Sequence, residues 1–433
     1  MIWDVHHECM SADEREALQV RRLQAMLGRV QGAVPLYRRR LADAGCDPGD
    51  IRRLADLAQL PFTVKDDLRD HYPYGMFAVP LDDVVRIHSS SGTTGKPTVV
   101  GYTRADVALW AETIARTLCG GGAMPSDILH NAYGYGLFTG GLGLHYGGEL
   151  LGVAVIPVSG GNTKRQIMIM QDFGSTLLSC TPSYALYLAE VGEELGVDFS
   201  KLPLRVAYCG AEPWTEAMRV EIERRLVCKA HNIYGLSEVI GPGVSFECAE
   251  QHGAHVSDDH FIPEVINPET GEVLPDGQVG ELVLTCVTKE CLPLLRYRTR
   301  DICRLDHTPC ACGRTTARMS MVTGRSDDML IIRGVNVYPS QIEEVLLQFA
   351  VVEPHYLLQV DRRGQLDELT VQVELAPEFV ADSVREVESL SRRIAGEIES
   401  VLGLSVTVQL MEPKSLARSE GKAKRVQDNR QLS

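Results

Sequence analysis

The chain has 433 residues, of which 44% are hydrophobic and 23% are charged. This length exceeds what one hydrophobic core usually supports, and the composition is typical of globular proteins, so we expect at least two domains. The formal net charge of −15 argues against a general binder of nucleic acids or anionic membranes, because an acidic surface repels such partners.

The pattern of apolar residues favours a cytosolic protein. No apolar run approaches the roughly 20 residues that a membrane-spanning helix needs. The first residues carry charges where a signal peptide would have its apolar core. The twelve cysteines would then lie in a reducing compartment, where free thiols and metal ligands are more common than disulfides.

The first part of the chain is predicted to be helical and the next part to be layered. Apolar residues recur at helical spacing over 13–30, which predicts a helical lead-in. From Val84 onward, short apolar runs alternate with longer helical patterns such as 105–118, which predicts α/β layers. The strand candidates are 151–158, 175–180, 204–210 and 280–287.

A domain boundary is predicted near the polar, glycine-containing segment 324–334. The residues after it follow the order strand, helix, strand, strand, helix, strand, which is typical of an independent α+β unit of roughly a hundred residues. We therefore predict an α/β fold, with a large N-terminal domain of layered sheets and helices over 1–325 and a small C-terminal α+β domain over 326–433.

The segment 88–98, with the sequence HSSSGTTGKPT, lies between two strand-like runs. Its small residues let backbone amides approach an anion, and its hydroxyls and Lys96 can donate hydrogen bonds to phosphate oxygens. It is not a Walker A loop, because Pro97 follows the lysine where that motif begins a helix. A surface linker would have the same composition, so the segment by itself leaves a nucleotide site and a linker both open.

The segment 131–143 mixes three aromatic residues, Tyr133, Tyr135 and Phe138, with seven small residues. Such a segment can form a flat apolar slot, which suits an aromatic ring better than a long acyl chain. An ordinary buried turn would show the same pattern, and periodicity does not separate the two.

Two short segments that contain cysteine and histidine predict a metal site. Cys248 and His255 lie in the first segment, and Cys310 and Cys312 lie in the second. If the two loops meet, they form a Cys3His set, which is a common ligand count for structural zinc. Such a site would be closed, because the protein supplies every ligand, and free thiols are the alternative. The substitute ligands would be His252 and His307.

Six ordered blocks in the sequence resemble the adenylate-forming superfamily and, within it, the phenylacetate–coenzyme A ligases, along almost the whole chain. The blocks are the segment 88–98, YCGAEPW at 208–214, IYGLSEVIGPG at 233–243, RYRTRD at 296–301, GRSDDMLIIRGVNVYP at 324–339 and SEGKAKRV at 419–426. An ordered set of this kind is far more specific than any single motif. The resemblance implies an ATP-dependent acid–thiol ligase, which makes an acyl-adenylate and then passes the acyl group to coenzyme A.

The resemblance also implies where ATP binds. The residues that it assigns to the nucleotide are Ser90, Ser91, Gly92, Thr93, Thr94, Lys96, Gly210, Ala211, Glu212, Tyr234, Gly235, Ser237, Asp301 and Arg325. Within this set, Gly210, Ala211 and Glu212 would line the adenine. The flat ring of Tyr234 would lie near the purine, although a core tyrosine beside a tight glycine turn would have the same sequence.

Magnesium and ribose contacts follow from the same resemblance. Glu238 would hold Mg²⁺ against the triphosphate, since a carboxylate is an oxygen ligand of the kind that this ion prefers. Asp301 would accept hydrogen bonds from both ribose hydroxyls, and Arg325 would contact ribose or phosphate. An exposed ion pair is the alternative for either residue. Arg300 stands where the family motif often has glycine.

The resemblance places the adenylation lysine at Lys422, which directly follows a glycine, with Lys424 as the competitor. A cation between the substrate carboxylate and the α-phosphate stabilises the charge that moves through the in-line transition state. A solvated basic tail is the alternative. The lysine must leave before the thiol arrives, so the small domain is expected to act as a lid that rotates about Asp327 or Asp328.

The resemblance and the slot together favour an aryl acid, with Gly235 joining Tyr133, Tyr135 and Phe138 as substrate contacts. Phenylacetate is the first expectation, although benzoate, anthranilate or indoleacetate would fit the same chemistry. The expected cofactors are ATP, Mg²⁺, coenzyme A and a structural Zn²⁺, and a homodimer is expected from the resemblance alone. An adenylating enzyme that serves a carrier-protein thiol and, more distantly, a nucleotide-binding regulator or ATPase are the alternatives.

Overall fold

The computed structural model describes residues 1–90, 97–326, 329–333, 335–363, 366–379 and 384–430. Some of the predicted site residues lie outside these ranges. They are Ser91, Gly92, Thr93, Thr94 and Lys96 of the phosphate-loop candidate and the hinge candidates Asp327 and Asp328.

The α-helices of the described residues are α1 (Val5–Glu8), α2 (Ala12–Ala33), α3 (Pro35–Asp43), α4 (Lys65–Asp70), α5 (Arg104–Gly120), α6 (Gly140–Leu151), α7 (Thr163–Asp172), α8 (Pro182–Glu194), α9 (Glu216–Leu226), α10 (Pro339–Leu346) and α11 (Val384–Leu402). Helix α2 confirms the helical lead-in and begins with a capping box between Ser11 and Glu14. Helix α5 confirms the helix predicted over 105–118. Within the described ranges, every helix is too short or too polar to cross a lipid bilayer.

The β-strands are β1 (Arg86–Ser89), β2 (Val99–Tyr102), β3 (Ile128–Asn131), β4 (Ala154–Ile156), β5 (Leu177–Cys180), β6 (Val206–Gly210), β7 (Lys229–Leu236), β8 (Gly241–Glu247), β9 (Ala254–Val256), β10 (Phe261–Ile266), β11 (Gly280–Cys286), β12 (Tyr297–Cys303), β13 (Leu305–Asp306), β14 (Arg318–Met319), β15 (Gly324–Arg325), β16 (Leu330–Ile332), β17 (Val335–Val337), β18 (Val352–Arg363), β19 (Leu366–Leu375), β20 (Thr407–Met411) and β21 (Val426–Asp428). The strand predicted over 151–158 is shorter than expected. Helix α6 continues to Leu151 and is followed by Gly152 with φ of 88°, so β4 begins only at Ala154.

Tertiary contacts divide the chain into two compact units. The first unit comprises Met1–Cys180, Ser200–Ala211 and Cys228–Met321. The second unit comprises Thr181–Phe199, Glu212–Val227 and Val322–Ser433. The second unit therefore takes in two earlier segments in addition to the C-terminal part of the chain. The boundary between residues 325 and 326 stays a prediction.

The first unit is built around a nine-stranded sheet with the strand order β13-β14-β9-β8-β7-β6-β5-β3-β4. The neighbours from β4 to β7 pair in parallel, and the others pair antiparallel. Every residue of β5 and β6 is buried, which explains why both strands lack polar alternation in the sequence. Ligands usually bind beyond the carboxyl ends of such parallel strands, and predicted nucleotide-binding residues lie at the ends of β6 and β7.

A second sheet of the first unit contains the antiparallel neighbours β10, β11 and β12. Strand β11 is buried along its whole length and confirms the strand predicted over 280–287. Strand β12 contains Asp301. The two sheets, together with helices α5 and α6 that pack against each other, confirm the layered α/β fold.

A buried ion cluster ties α2 and α5 to the loop between β9 and β10. The Asp259 carboxylate in this loop is fully buried and accepts hydrogen bonds from the Arg116 guanidinium at 2.7 and 3.2 Å. It also lies 3.3 Å from Arg22 and 3.1 Å from His260 Nε2. Burial opposes the charged form, but His260 and Arg116 outweigh it and hold the pKa of Asp259 well below its ordinary value.

The second unit contains a four-stranded sheet with the order β20-β19-β18-β21. Strands β18 and β19 form an antiparallel hairpin, and β20 and β21 pair with them in parallel. Helices α10 and α11 pack around a core that includes Leu358, Val371 and Ile394. From β16 to β20 the elements follow the order that the sequence predicts, except that β17 stands where a turn is expected before α10. Strand β21 is not predicted from the sequence. Val426 pairs with Leu358, so part of the basic, polar tail joins the sheet.

Candidate active site

The ends of β6 and β7 bring two predicted adenine-site segments side by side. Gly210, the last residue of β6, pairs with Ile233 of β7, and Tyr234 and Gly235 are next along β7. A Cβ atom at Gly210 would lie 2.1 Å from the Ile233 carbonyl oxygen, and one at Gly235 would lie 1.7 Å from the Gly241 carbonyl oxygen. Only glycine fits these close approaches, so main-chain atoms form this edge of the sheet.

Two residues beside predicted nucleotide contacts have the left-handed backbone conformation that favours glycine. The φ angle is 73° at Ala211, which follows Gly210, and 68° at Arg300, which precedes Asp301. Such conformations are uncommon for residues with a Cβ atom and cluster at functional sites. Arg300 therefore keeps the backbone geometry of the glycine that the family motif often has, while its side chain lies 3.7 Å from Glu281.

The Tyr234 hydroxyl holds the buried carboxylate of Asp301. The hydroxyl donates to Asp301 Oδ2 at 2.5 Å, and the Asp301 amide donates to the Thr299 hydroxyl at 3.0 Å. Burial and the neighbouring carboxylate raise the pKa of Tyr234 well above its ordinary value, so the phenol remains a donor. The structure thus joins two residues that the sequence assigns to the same nucleotide.

Glu238, the predicted magnesium ligand, is buried and meets two polar side chains. Lys65 Nζ lies 3.3 Å from Glu238 Oε1, and the Thr98 hydroxyl lies 3.5 Å from the same oxygen. The buried Lys289 fixes the following backbone, because its Nζ donates to the Val239 carbonyl at 2.7 Å. The carboxylate is therefore held in place from its side chain and from its main chain.

The two ends of the phosphate-loop candidate are pinned together. The Ser90 amide donates to the Thr98 carbonyl at 3.0 Å, and the Thr98 amide donates to the Ser90 hydroxyl at 3.0 Å. Of the predicted nucleotide contacts near this loop, Ser237 has its hydroxyl 3.1 Å from that of Thr139. Thr98 thus links the base of the loop to Glu238.

The predicted aromatic slot is organised by Asn131. Its Nδ2 donates to the Tyr135 hydroxyl at 2.8 Å and to the Gly141 carbonyl at 2.8 Å. The Tyr135 hydroxyl also lies 3.2 Å from His145 Nδ1, and burial raises the pKa of Tyr135 to about 12. Tyr133 is buried. This polar network fixes the orientation of the Tyr135 ring.

Small residues in the slot segment make room for aromatic rings. A Cβ atom at Gly140 would lie 2.5 Å from the Phe138 ring, and one at Gly143 would lie 2.6 Å from the Trp110 ring. Trp110 stacks on Tyr102 with ring centroids 5.1 Å apart. The glycines therefore allow α6 to approach a rigid aromatic cluster, which is a packing arrangement that the sequence pattern alone leaves undecided.

In the second unit, Glu212 contacts the segment that contains Lys422. Glu212 Oε2 accepts from the Ala423 amide at 2.8 Å, while Oε1 accepts from the Ser183 amide at 2.8 Å and from the Ser183 hydroxyl at 2.5 Å. The sequence assigns Glu212 to the adenine. The structure shows its carboxylate engaged on both oxygens within the second unit.

The two candidate lysines lie between β20 and β21, and both are exposed. Lys424 and Arg325 line a cavity of about 500 Å³ in the second unit. The structure therefore places Lys424 and the predicted ribose or phosphate contact Arg325 in the lining of the same cavity, with Lys422 two residues from Lys424 in sequence.

The four predicted metal ligands come together in the first unit. Their ligating atoms lie within 4.8 Å of one another, and the residues are Cys248, His255, Cys310 and Cys312. Cys312 Sγ lies 3.4 Å from His255 Nε2, and His255 Nδ1 lies 3.0 Å from the Thr316 hydroxyl, which orients the ring toward the sulfurs. The substitute ligand His252 is exposed, and His307 pairs with Asp276 at 2.8 Å instead.

The loop that follows Cys312 also holds the N-terminal segment. Arg314 donates to the Glu8 carboxylate at 2.5 Å and to the Met1 carbonyl at 3.1 Å. The Thr315 amide donates to the Glu8 carbonyl at 3.1 Å. A metal at the four-residue cluster would therefore brace the loop to which the start of the chain is attached.

Several residues around the candidate site are missed by the sequence patterns. They are Lys65, Trp110, Asn131, His145 and Lys289. Their contacts reach across the fold, and the Lys65–Glu238 and Lys289–Val239 pairs join different blocks of sequence. Asn131 begins the predicted slot segment, so its position was the one available signal. The others stand in segments with no motif.

Comparison with known proteins identifies the family. The AMP-binding enzyme family matches residues 40–286, and the AMP-binding enzyme C-terminal domain family matches residues 334–430. The phenylacetate-coenzyme A ligases of Thermus thermophilus and Escherichia coli are each 52% identical to the chain; the alignments cover 99% and 98% of the chain and 100% and 97% of those proteins. A crystal structure of 2-hydroxyisobutyryl-CoA ligase in the postadenylation state superposes with a TM-score of 0.94 at 29% identity, covering 99% of the chain and 92% of that protein. The chain therefore belongs to the phenylacetate-coenzyme A ligase family of AMP-binding enzymes.

Proposed function

We propose that the chain is a phenylacetate–coenzyme A ligase, which joins phenylacetate to coenzyme A through an acyl-adenylate while ATP is cleaved to AMP and diphosphate. Membership of the family makes the chain an AMP-forming acid–CoA ligase that uses ATP and coenzyme A. The observation that carries the choice of phenylacetate is the identity of 50–52% to four relatives of that name, each aligned over 98% or more of the chain.

In the first half-reaction, a carboxylate oxygen of phenylacetate attacks the α-phosphorus of ATP, and the bond to the bridging oxygen breaks so that diphosphate leaves. Lys422 would supply the cation that offsets the charge moving through this in-line transition state. Glu238 would hold Mg²⁺, which supplies charge neutralisation at the departing diphosphate when it is bound. The contacts of Glu238 with Lys65 and Thr98 support a carboxylate that keeps one orientation.

Asp301 would accept hydrogen bonds from the ribose hydroxyls, and the main chain around Gly210 and Gly235 would border the adenine beside the Tyr234 ring. The short bond from the Tyr234 hydroxyl to Asp301 supports this proposal, because it fixes the carboxylate before the nucleotide arrives. The close backbone approaches at the two glycines support a flat edge that suits a purine.

The acid would lie in the slot formed by Tyr133, Tyr135 and Phe138. Two observations support this position of the acid. Asn131 fixes the Tyr135 ring through a hydrogen bond, and Trp110, which stacks on Tyr102, packs against α6. Rigid aromatic walls favour a planar ring, since offset and edge-to-face contacts add to the apolar area that is buried.

In the second half-reaction, the coenzyme A thiol attacks the acyl carbonyl of the adenylate, the acyl–oxygen bond breaks, and AMP leaves. We propose that residues 326–433 rotate about Asp327 or Asp328 between the half-reactions, so that Lys422 leaves before the thiol arrives. Substitution of proline at Asp327 is expected to spare diphosphate release and to slow thioester formation; equal loss of both would contradict the rotation.

The direct test incubates the chain with ATP, Mg²⁺, coenzyme A and one acid from a panel of phenylacetate, benzoate, anthranilate, indoleacetate and a medium-chain fatty acid. Mass spectrometry should find phenylacetyl-CoA with AMP, and phenylacetate should give the highest kcat/KM. A preference for another aryl acid would overturn the choice of substrate. Formation of ADP, or of acyl-AMP without any thioester, would overturn the ligase reaction itself.

We also propose that the Cys3His cluster binds a structural zinc ion. The support is its donor set, since three sulfurs and an imidazole nitrogen within 4.8 Å of one another match the number and kind of ligands that zinc prefers. Protein purified without chelators should contain about one zinc per chain by plasma mass spectrometry. A content below about half an equivalent would contradict the proposal.

Two further proposals concern the setting in which the enzyme works. A cytosolic location is supported by the twelve cysteines, since free thiols and metal ligands are more common than disulfides in a reducing compartment. A homodimer is supported by the family resemblance and predicts a mass of twice the 47.7 kDa chain in light scattering. A monomer mass at micromolar concentration would contradict the homodimer.

A further inference from the structure

The segment that carries the proposed adenylation lysine has little main-chain support of its own. Residues 419–425, which we call the Lys422 segment, lie between β20 and β21 and outside any helix or strand. A local turn is closed by Ser419, whose hydroxyl donates to the Lys422 carbonyl at 2.8 Å and accepts from the Gly421 amide at 3.2 Å. The Leu358 amide of β18 donates to the Arg425 carbonyl at 2.9 Å, at the end of the segment next to β21. Nearer to Lys422, side chains from other parts of the unit contact the main chain.

Glu212 provides such a contact directly beside the lysine. Its Oε2 accepts from the amide of Ala423, the residue after Lys422, at 2.8 Å. Its Oε1 accepts from the amide and the hydroxyl of Ser183, at 2.8 and 2.5 Å. Ser183 lies in the first turn of α8, where a carboxylate is also favoured by the helix dipole. One half-buried carboxylate thus bridges the start of α8 and the Lys422 segment.

The residues on the two sides of Lys422 are fixed as well. The Thr181 hydroxyl, at the start of α8, donates to the Gly421 carbonyl at 3.0 Å. Arg425 pairs with Glu343 at 3.2 Å and lies 4.5 Å above the Tyr356 ring. The main chain before and after Lys422 is therefore held, while its side chain is exposed.

Arg418 anchors the approach to the segment. Its guanidinium forms a bidentate ion pair with Glu190 of α8, at 2.7 and 2.8 Å, and a second ion pair with Glu374, at 2.8 and 2.9 Å. The pair with Glu190 would be broken when residues 326–433 rotate, and Arg418 lies four residues before Lys422. Glu212 instead reaches the main-chain amide next to the lysine. The two kinds of contact are expected to respond differently to substitution.

We infer that Glu212 is a positioning residue for the adenylation half-reaction: through the Ala423 amide it fixes the main chain that carries the Lys422 side chain. The inference rests on the proposed function, in which Lys422 serves adenylation and has no part in thiol transfer. A hydrogen bond to a charged acceptor is roughly twice as strong as a neutral one, and two of the three donors to Glu212 are main-chain amides with fixed directions. Loss of the carboxylate should therefore slow adenylation and leave thioester formation from a finished adenylate unchanged.

The experiment separates the half-reactions in Glu212→Ala, Glu212→Gln and the wild-type chain. Adenylation is measured as phenylacetate-dependent exchange between ATP and diphosphate, and thiol transfer as phenylacetyl-CoA formation from synthetic phenylacetyl-adenylate and coenzyme A. Glu212→Ala should lower the exchange rate about 10- to 100-fold, and Glu212→Gln, which keeps one acceptor oxygen, should lower it less. Both half-reactions are measured at saturating nucleotide, so that a weakened adenine contact would raise only the concentration needed for saturation. Under these conditions the rate of thiol transfer should stay within about twofold of the wild type in both variants. Glu216→Gln is the matched control, because Glu216 is exposed and pairs with Arg219 three residues on.

Each result of these two assays either supports or overturns the positioning role of Glu212. Equal loss of both half-reactions, or exchange within about twofold of the wild type in Glu212→Ala, would overturn the inference while leaving the proposed function intact. A wild-type chain that gives no exchange with any acid of the panel would overturn the proposed function, and the inference with it. If Glu212→Ala does not fold, the isosteric Glu212→Gln gives the answer, since the same split between half-reactions is expected in smaller measure.

Discussion

Removal of the Tyr234 hydroxyl tests the proposed ribose contact with little change in shape. The phenol donates to Asp301 Oδ2 at 2.5 Å, and Tyr234→Phe deletes this donor while it keeps the ring. A hydrogen bond to a charged group contributes roughly 1.5–3 kcal/mol, so we expect kcat/KM for ATP to fall about 10- to 150-fold. The fall follows because Asp301 without this anchor meets the ribose hydroxyls in fewer of its orientations.

The assay measures kcat/KM for ATP at saturating phenylacetate and coenzyme A by diphosphate release. A second series replaces ATP by 2′-deoxy-ATP and 3′-deoxy-ATP, which lack one of the hydroxyls that Asp301 would accept from. For the wild-type chain, kcat/KM should be higher with ATP than with either analogue. In Tyr234→Phe the ratio of kcat/KM for ATP to that for each analogue should be smaller. Asp301→Asn should lower this ratio further, since an amide is a weaker acceptor for two donors.

Tyr208→Phe is the matched control. Tyr208 is a buried tyrosine of the neighbouring strand β6, and its hydroxyl donates to the main-chain carbonyl of Leu118 at 2.6 Å. Its loss should lower the free energy of unfolding and leave kcat/KM for ATP within about twofold of the wild type. If Tyr234→Phe behaved in the same way, the Tyr234–Asp301 pair would be structural and the ribose assignment would be wrong.

Three further predictions follow from the packing and charges of the first unit. Asp259→Asn should lower the free energy of unfolding by about 1–3 kcal/mol, because the buried Arg116 loses its fully buried carboxylate partner and keeps Glu112. The folded-state pKa of Asp259 lies below its ordinary value of 3.8. The difference in unfolding free energy between the wild type and Asp259→Asn should therefore be complete above pH 3.8 and become smaller as the pH falls below it. A difference that does not change with pH would contradict its origin in an ion pair. Treatment with a chelator that removes the proposed zinc, or the substitution Cys312→Ser, should lower the melting temperature and make the N-terminal residues accessible to protease. An unchanged digestion pattern would show that the loop after Cys312 holds the N-terminal residues without a metal. Gly143→Ala places a methyl group 2.6 Å from the Trp110 ring, so it should lower the free energy of unfolding by about 1–3 kcal/mol and raise the KM for phenylacetate. An unchanged KM would mean that the acid binds away from the segment 131–143.

The parts of the fold with strong local patterns are predicted well from the sequence. The buried parallel strands β5 and β6 appear as short apolar runs between glycine and polar turns, and the alternation of strand and helix predicts α10, β18, β19, α11 and β20 in the correct order. Strand β21 is missed because its stability comes from pairing with β18 rather than from its own composition, in which polar residues dominate. The end of α6 is misplaced because the apolar run 151–158 contains both the last helical residue and the strand.

The sequence predicts the residues that are expected to contact the nucleotide or the metal, and it misses the residues that hold those side chains in place. Asp301 and Tyr234 stand in separate blocks, and the structure joins them. Lys65 and Lys289 hold Glu238 and its backbone, yet each stands in a segment without a motif, so only the tertiary fold reveals them. The direction of the Glu212 carboxylate is likewise a tertiary property, since it depends on where α8 begins.

The proposed adenylation depends on the Lys422 ammonium, which would offset charge in the attack of an acid on the α-phosphorus of ATP. Its most direct test is the phenylacetate-dependent exchange of labelled diphosphate into ATP in the wild type, in Lys422→Ala and in Lys424→Ala. We predict that Lys422→Ala lowers the exchange rate at least about 100-fold, while Lys424→Ala keeps most of it. Exchange by Lys422→Ala at the wild-type rate would contradict the account.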